Sequence, residues 1–185
     1  RRPFFIEGAA LFRFGQTRSY NNFNTTIPFH ARRIGRDPQR SLDGTNYNFV
    51  DAPLQTTIDT AVTLTGKTRS GISIGILDAV TAEERAQYLD SLGIARKATV
   101  EPLTNYFVGH LGREYGGGNT SVGGIATAAV RKLSDPALGS MLRNQAYAGG
   151  IDLNHYWASR RWSLDGFVMG SHVRGSAQAI DRTQL

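Results

Sequence analysis

The sequence predicts an all-β fold, an antiparallel meander of the outer-membrane barrel type that forms an incomplete barrel, with one short helix in a loop. Three pairs of strand-like segments carry this prediction. Tight connections fall at residues 66–71, 115–121 and 159–161, and long ones at 79–101 and 131–146. Short turns on one side and long loops on the other are typical of antiparallel barrels that span a membrane.

Alternation between apolar and polar residues is the second observation behind the prediction. In residues 147–157 the odd positions are mainly apolar, whereas Asp152 and Asn154 lie on even positions. Residues 58–64 and 72–76 also concentrate their large aliphatic residues on even positions. A period of two indicates a strand with one apolar face.

The remaining pair, residues 103–113 and 122–131, alternates less regularly. Asn105 shares a face with Phe107 and Leu111. Which face of this pair would meet lipid therefore stays open.

Two tryptophans flank the third tight turn. Trp157 and Trp162 lie on either side of Ser159 and Arg160. Such a place suits an aromatic girdle at a membrane interface, although tryptophans also flank turns in soluble sheets.

Composition agrees with a glycine-punctuated β protein. The 185 residues include 21 glycines and no cysteine. No stretch approaches the roughly 18 consecutive apolar residues of a membrane helix, so any spanning would be by strands. The chain opens Arg1-Arg2-Pro3 without an initiator Met or an apolar leader segment, so we expect it to begin within a longer protein.

Two regions of different character are predicted. Residues 1–56 form an irregular lead-in with one or two strands, and residues 57–185 form an antiparallel β-hairpin array that is part of a barrel. Within the first long connection, Thr81 and Glu84 match a capping box ahead of apolar residues at helical spacing. This pattern predicts the short helix, between residues 81 and 94.

The positive charge indicates anionic solutes more than nucleic acid. The net charge is +6, and every basic residue except Lys67, Lys97 and Lys132 is Arg. There is no long basic run and no basic helix, so no nucleic-acid partner is predicted. A basic lumen or rim is the functional interpretation, and scattered solvated arginines are the alternative. The basic candidates for ligand binding are Arg32, Arg33, Arg36, Lys67 and Arg113.

Two sequence motifs resemble catalytic or phosphate-binding motifs but lack the turn or helix that such motifs require. Ser73 matches a nucleophile elbow but lies in an alternating strand, where no sharp turn exposes it. The segment ending in Lys67 and Thr68 misses the first glycine of a phosphate-binding loop and precedes a strand. The histidines show no metal-ligand spacing. We predict no catalytic residue, no metal and no cofactor.

Polar residues on the predicted strands complete the candidate site. His110, Glu101, Asp152 and Asp165 could converge into a lumenal acid/base site, and polar lining of a channel is the favoured alternative. The remaining candidates that would line a lumen or bind a ligand are Glu101, Asn105, His110, Asp152 and Asn154.

Six blocks in fixed order resemble a family of bacterial outer-membrane barrel proteins of unknown function. They are FFIEG at 4–8, FHARRIGR at 29–36, TGKT at 65–68, GILDAVT at 75–81, VEPLTNYFVG at 100–109 and AGGID at 148–152. Members typically carry an N-terminal carbohydrate-binding module of the family-nine type, and some are labelled membrane-associated hydrolases. The chain departs from the pattern at Ala31, where members usually have Ser, and at His110, where they usually have Arg.

The resemblance implies a location, possible partners and missing parts. The location would be the outer membrane of a Gram-negative-type bacterium, or its periplasmic face if the chain does not form a barrel. Lipid would be a partner, with glycans or other membrane subunits as further ones. A carbohydrate-binding module would precede Arg1, and more strands would follow Leu185, because a spanning barrel needs at least about eight strands.

Three functions from different classes follow from these observations. The leading one is a transport, binding or structural segment of an outer-membrane barrel, linked to glycan handling. The second is an accessory subunit packed within a larger membrane complex. The third is a membrane-associated hydrolase. Fold alone does not decide among them, because function resides in the site.

Overall fold

The computed structural model describes Phe12, residues 14–15, 28–42, Tyr47 and residues 49–182. Within these residues, nine strands and two short α-helices follow one another. They are β1 (Phe49–Asp51), β2 (Ile58–Lys67), β3 (Ile72–Thr81), β4 (Glu84–Leu89), β5 (Ala95–Glu101), β6 (Thr104–Tyr115), β7 (Thr120–Arg131), α1 (Pro136–Met141), β8 (Gln145–Trp157), β9 (Trp162–Arg174) and α2 (Ala177–Asp181).

Six strands form one antiparallel sheet, in the order β2-β3-β6-β7-β8-β9. The three hairpins predicted from sequence are confirmed, with turns at residues 68–71, 116–119 and 158–161. We call this edge of the sheet the turn end and the opposite edge the loop end. Gly116, Gly117 and Gly118 all have positive φ, which glycine adopts without steric strain.

These six strands form an open sheet. Within the part of the chain that the structure describes, β2 and β9 each pair with one neighbouring strand. The all-β antiparallel prediction is therefore confirmed, whereas these six strands do not close into a barrel. Closure would need partners for both edges.

The predicted helix between residues 81 and 94 is wrong, because this segment forms β4 and the turn into β5. Ala86 and Tyr88, two residues apart, face a small core, as a strand requires. The Asp90 carboxylate accepts hydrogen bonds from the backbone N–H of Leu92 and of Ile94, 3.0 Å each. This Asx-type turn competes with the helix and closes a hairpin.

The expected capping box does not form either. The Glu84 carboxylate accepts from the backbone N–H of Thr57 at 2.6 Å, and the Thr81 hydroxyl donates to the Thr104 carbonyl. The described helices lie elsewhere: α1 is in the second long connection, where Asp135 caps its N-terminus by accepting from Ala137 N–H at 2.8 Å.

A three-stranded sheet, β1-β4-β5, lies beside the large one and joins the lead-in to the first long connection. Its core consists of Leu42, Ala86 and Val100, with Tyr47, Val50, Tyr88 and Ala98 packed around them. One strand of the lead-in, β1, thus takes part in a sheet that sequence periodicity did not indicate.

The main core lies on one side of the six-stranded sheet, which we call the packed face. Lead-in residues Phe12, Phe14 and Ile34 pack there against Leu77, Ala79, Tyr106, Val108 and Ile125. The other side, here the open face, leaves large apolar residues exposed: Val62, Leu64, Ile74, Ile76, Leu111, Val122, Ile151, Leu153, Leu164 and Val168. The open face therefore carries an apolar band across all six strands.

The substitution Gly150→Ala tests the contact between the lead-in and the sheet. A β-carbon at Gly150 would lie 2.5 Å from the Val168 carbonyl oxygen and 2.6 Å from Phe14 Cζ, whereas one at Gly170 has nothing within 4 Å. We expect Gly150→Ala to lower the free energy of unfolding by about 1–3 kcal/mol through overpacking. Gly170→Ala should change it by less than about 0.5 kcal/mol. Chemical denaturation followed by circular dichroism measures both, and equal effects would contradict the packing described.

Candidate functional site

Polar groups on the packed face fall into two regions, separated by the apolar core. One lies toward the turn end and includes His110 and Asp152. The other lies at the loop end, where Arg33 and Arg36 of the lead-in meet the sheet.

A glycine-floored gap defines the first region. Ser73, Gly112, Gly123 and Asp152 are register partners on four neighbouring strands. A β-carbon at Gly112 would lie 2.7 Å from Ser73 Oγ and 3.2 Å from His110 Cε1, and one at Gly123 would lie 3.3 Å from His110 Nε2 and clash with Asp152 Oδ1. The two glycines thus leave room for the imidazole between Ser73 and the carboxylate.

This gap gathers the residue types of a nucleophilic site without their hydrogen bonding. Among the described residues, His110 Nδ1 has no hydrogen-bond partner, and no hydrogen bond joins His110 to Ser73. Ser73 lies within β3 and pairs with Gly112, as its alternation predicted. A serine nucleophile needs an adjacent base in hydrogen-bond contact and an exposing turn. The arrangement accordingly favours a polar lining over nucleophilic chemistry.

Asp152 binds the lead-in. Its Oδ2 accepts from the Gly15 backbone N–H at 3.2 Å. Phe14, the residue before, packs edge-on against Phe167 with ring centroids 5.8 Å apart, and Phe167 is the register partner of Asp152 on β9. Asp152 therefore fixes where the lead-in crosses the packed face.

Four other predicted residues lie apart from this gap. Lys67 forms an exposed ion pair with Glu114, with Nζ 2.7 Å from Oε1, and Asn154 is the register partner of Ser121 on the packed face. Two more are on the open face: the Asn105 amide donates to both oxygens of Asp78, and the Arg113 guanidinium lies 4.8 Å from the Tyr115 ring centroid.

Glu101 is buried, and its contacts are structural. It is 1 % exposed, and its two carboxylate oxygens accept from the backbone N–H and the side-chain amide of Gln39, each at 2.8 Å. These bonds attach the lead-in to the end of β5.

A cavity of about 340 Å³ at the loop end brings together four arginines. Arg33 and Arg36 come from the lead-in, Arg131 ends β7, and Arg143 precedes β8. Arg32, also predicted, is exposed and does not line this cavity. The sequence thus indicated two of the four arginines.

The sequence analysis did not identify Arg131 and Arg143, because it considered each residue separately. They flank the second long connection, and the ends of an antiparallel pair must come together. The structure joins them: the Arg131 backbone N–H donates to the Asn144 carbonyl at 2.8 Å, and Arg131 Nη1 donates to the Arg143 carbonyl at 2.9 Å. Arginines at both ends of a strand connection were the available signal.

The hairpin of β4 and β5 carries a separate exposed ion pair. Arg96 Nε lies 2.6 Å from Asp90 Oδ2. The hydrogen bond from Arg96 and the backbone N–H of Ile94 lower the pKa of Asp90 below its usual value. The carboxylate therefore stays charged and holds the Asx-type turn closed at neutral pH.

None of the described helices is long and apolar enough to cross a membrane. Among the same residues, no group of three His, Asp or Glu side chains is placed to hold a metal ion.

The fold defines the chain as an all-β antiparallel protein with an exposed apolar sheet face. A family model matches residues 1–183, and the chain belongs to that family, a domain of unknown function designated DUF5916. No curated protein and no solved structure matches it.

Asp152 provides a test of the lead-in contact. We expect Asp152→Ala to remove about 1.5–3 kcal/mol of local stability, because a charged acceptor of a backbone N–H is lost. Hydrogen exchange at the Gly15 amide should accelerate by at least about tenfold. Asn154→Ala, on the same strand and face, is the control and should leave that exchange rate unchanged. Unchanged exchange in Asp152→Ala would contradict the role assigned to the carboxylate.

Proposed function

We propose that this chain is part of a membrane-embedded β-sheet of the outer-membrane barrel type, with the open face against lipid. The packed face would then line the interior and take part in binding or transporting solutes. The observation that supports this best is the apolar band of the open face, which stays exposed although a core covers the packed face.

The extent of the apolar band favours a large apolar partner. Val62, Ile151 and Val168 are each more than 60 % exposed, and they lie on an edge strand, an inner strand and the other edge strand. Contiguous apolar patches larger than a few hundred Å² mark membrane or protein contact sites. An apolar outward face that continues from strand to strand is typical of spanning strands.

The tryptophans fit the same arrangement. Trp157 and Trp162 are register partners at the turn end, exposed on the open face. Trp is enriched where a membrane-spanning surface meets water. The turn end would therefore lie at one interface, and the loop end, with its helices and small sheet, would project beyond the other.

The two sheet edges also bear on the proposal. In lipid every backbone N–H and C=O needs a partner, so an open edge is not tolerated there. The edges of β2 and β9 would be completed by further strands of the same protein or by another subunit. Glycans enter as a solute class only through the family resemblance described above.

An accessory subunit is the second candidate, and the same open face supports it. In that case another polypeptide would cover the apolar band. The two candidates differ in what touches Ile151 and Val168, and that difference can be measured.

Single-cysteine labelling distinguishes lipid from protein at the open face. The chain has no native cysteine, so a fluorophore can be placed at one position at a time. In vesicles of brominated lipid, we expect strong quenching for Ile151→Cys and Val168→Cys, because bromine would lie within contact of the label. Asn154→Cys and Ser121→Cys, on the packed face, are the matched controls and should be quenched weakly. Equal quenching at both faces would overturn the lipid assignment, and weak quenching at both would favour the accessory subunit.

The native tryptophans report the depth of the turn end. We expect their fluorescence to be quenched more by lipids brominated near the headgroup than by lipids brominated near the chain terminus, since Trp prefers the interface. Trp157→Phe and Trp162→Phe identify each contribution. Stronger quenching from the bilayer centre, or none from any depth, would contradict the proposed position.

A further inference from the structure

We propose that the arginine cavity at the loop end is a binding site for a phosphomonoester group carried by a small organic solute. The cavity holds about 340 Å³, within the usual range for small-molecule sites. Its cationic lining consists of Arg33, Arg36, Arg131 and Arg143.

The first support is a set of buried polar atoms without partners. Within the part of the chain that the structure describes, Arg36 Nε and Arg131 Nε are buried and have no hydrogen-bond partner. A buried N–H of a charged group that lacks an acceptor destabilises the folded state more than a neutral one does. Two guanidinium donors that line one cavity therefore lack acceptors, which a ligand could supply.

Charge balance is the second support. Among the described residues, the ion pairs are Arg40–Asp135, Lys67–Glu114, Arg85–Glu83 and Arg96–Asp90, and none includes a cavity arginine. Glu101 attracts Arg131 electrostatically, but both its oxygens accept from Gln39. No carboxylate is among the described residues that line the cavity.

The arginines also repel one another. Arg131 experiences the positive charges of Arg36 and Arg143. An anion between them would replace this repulsion with attraction, so its binding should stabilise the folded chain. Arg36, Arg131 and Arg143 are partly buried, so water and salt screen their charges less than at an exposed surface, whereas Arg33 is exposed.

The chemistry of the donors points to a phosphomonoester. A guanidinium presents parallel N–H donors that match phosphate oxygens. A phosphate ester carries three acceptor oxygens and a charge near −2, which several arginines together can satisfy. The Phe29 and Tyr106 rings and the Thr127 and Ser171 hydroxyls complete the lining, and they suit an organic portion attached to the phosphate.

The test uses calorimetry and thermal unfolding of the full protein in detergent. The probes are inorganic phosphate and glucose 6-phosphate, with glucose and chloride at matched ionic strength as references. We expect saturable binding of both phosphates, a higher Tm with each, and no effect of the references. An equal rise in Tm with chloride would overturn the proposal.

Matched variants locate the binding. Arg143→Gln should weaken the affinity for glucose 6-phosphate by at least about tenfold, or ~1.4 kcal/mol. Arg113→Gln removes the same charge from the open face and should leave the affinity unchanged. Arg143→Lys keeps the charge but loses the planar fork, so it tests the site even where Arg143→Gln fails to fold. Unaltered affinity in Arg143→Lys, or equal loss in Arg113→Gln, would overturn the assignment.

A lipid probe shows whether the phosphate belongs to a small solute or to a lipid headgroup. Binding of short-chain phosphatidate without binding of glucose 6-phosphate would overturn the small-solute assignment in favour of a lipid headgroup. Phosphate binding is measured in detergent, and the cavity lies on the packed face. The outcome of the binding experiment therefore does not depend on whether the open face meets lipid.

Discussion

The packing of the lead-in on the sheet is the contact on which the rest of the structure depends. Both faces of the six-stranded sheet carry large aliphatic residues, so apolar content alone does not decide which face becomes the core. Phe12, Phe14 and Ile34 decide it, because they cover Val108 and Ile125 and leave Ile151 exposed. A one-residue slip of register would exchange the two faces of a strand. Gly150 opposes such a slip, because Phe14 packs where a β-carbon at this position would lie.

The same contact divides the polar groups of the packed face into two environments. On the turn side of the core, His110 and Asp152 lie over glycines, and the lead-in contributes a backbone N–H. On the loop side, the lead-in contributes two arginines to a cavity that the strand ends complete. The irregular lead-in thus contributes groups to both candidate sites. Binding residues often lie on such segments when a rigid scaffold positions them.

Period-two alternation and turn residues were enough to predict the three long hairpins, because each is a local feature of the sequence. The sheet β1-β4-β5 could not be predicted in this way. Thr81 and Glu84, at the start of its hairpin, match the sequence pattern of a helix N-terminus. Its remaining strand, β1, comes from the lead-in, more than 30 residues earlier in the chain. Of the four arginines that line the cavity, the sequence analysis named Arg33 and Arg36 as candidates for ligand binding. The proximity of Arg131 and Arg143 depends on the pairing of β7 with β8, which is not visible when each residue is considered alone.

The distribution of polarity differs from that in a one-sided sheet that faces water, because both faces carry large aliphatic residues. A one-sided sheet in solution buries its aliphatic face and exposes its charges. Here the aliphatic open face is exposed, while at the packed face Arg36 Nε and Arg131 Nε are buried without a hydrogen-bond partner among the described residues. Each half of that pattern is unfavourable alone, since exposed apolar area and buried unpaired charge both raise the free energy of the folded state. Lipid against one face and an oxyanion within the other would relieve both. The two proposals are therefore linked by polarity, although each depends on its own contacts and is tested separately.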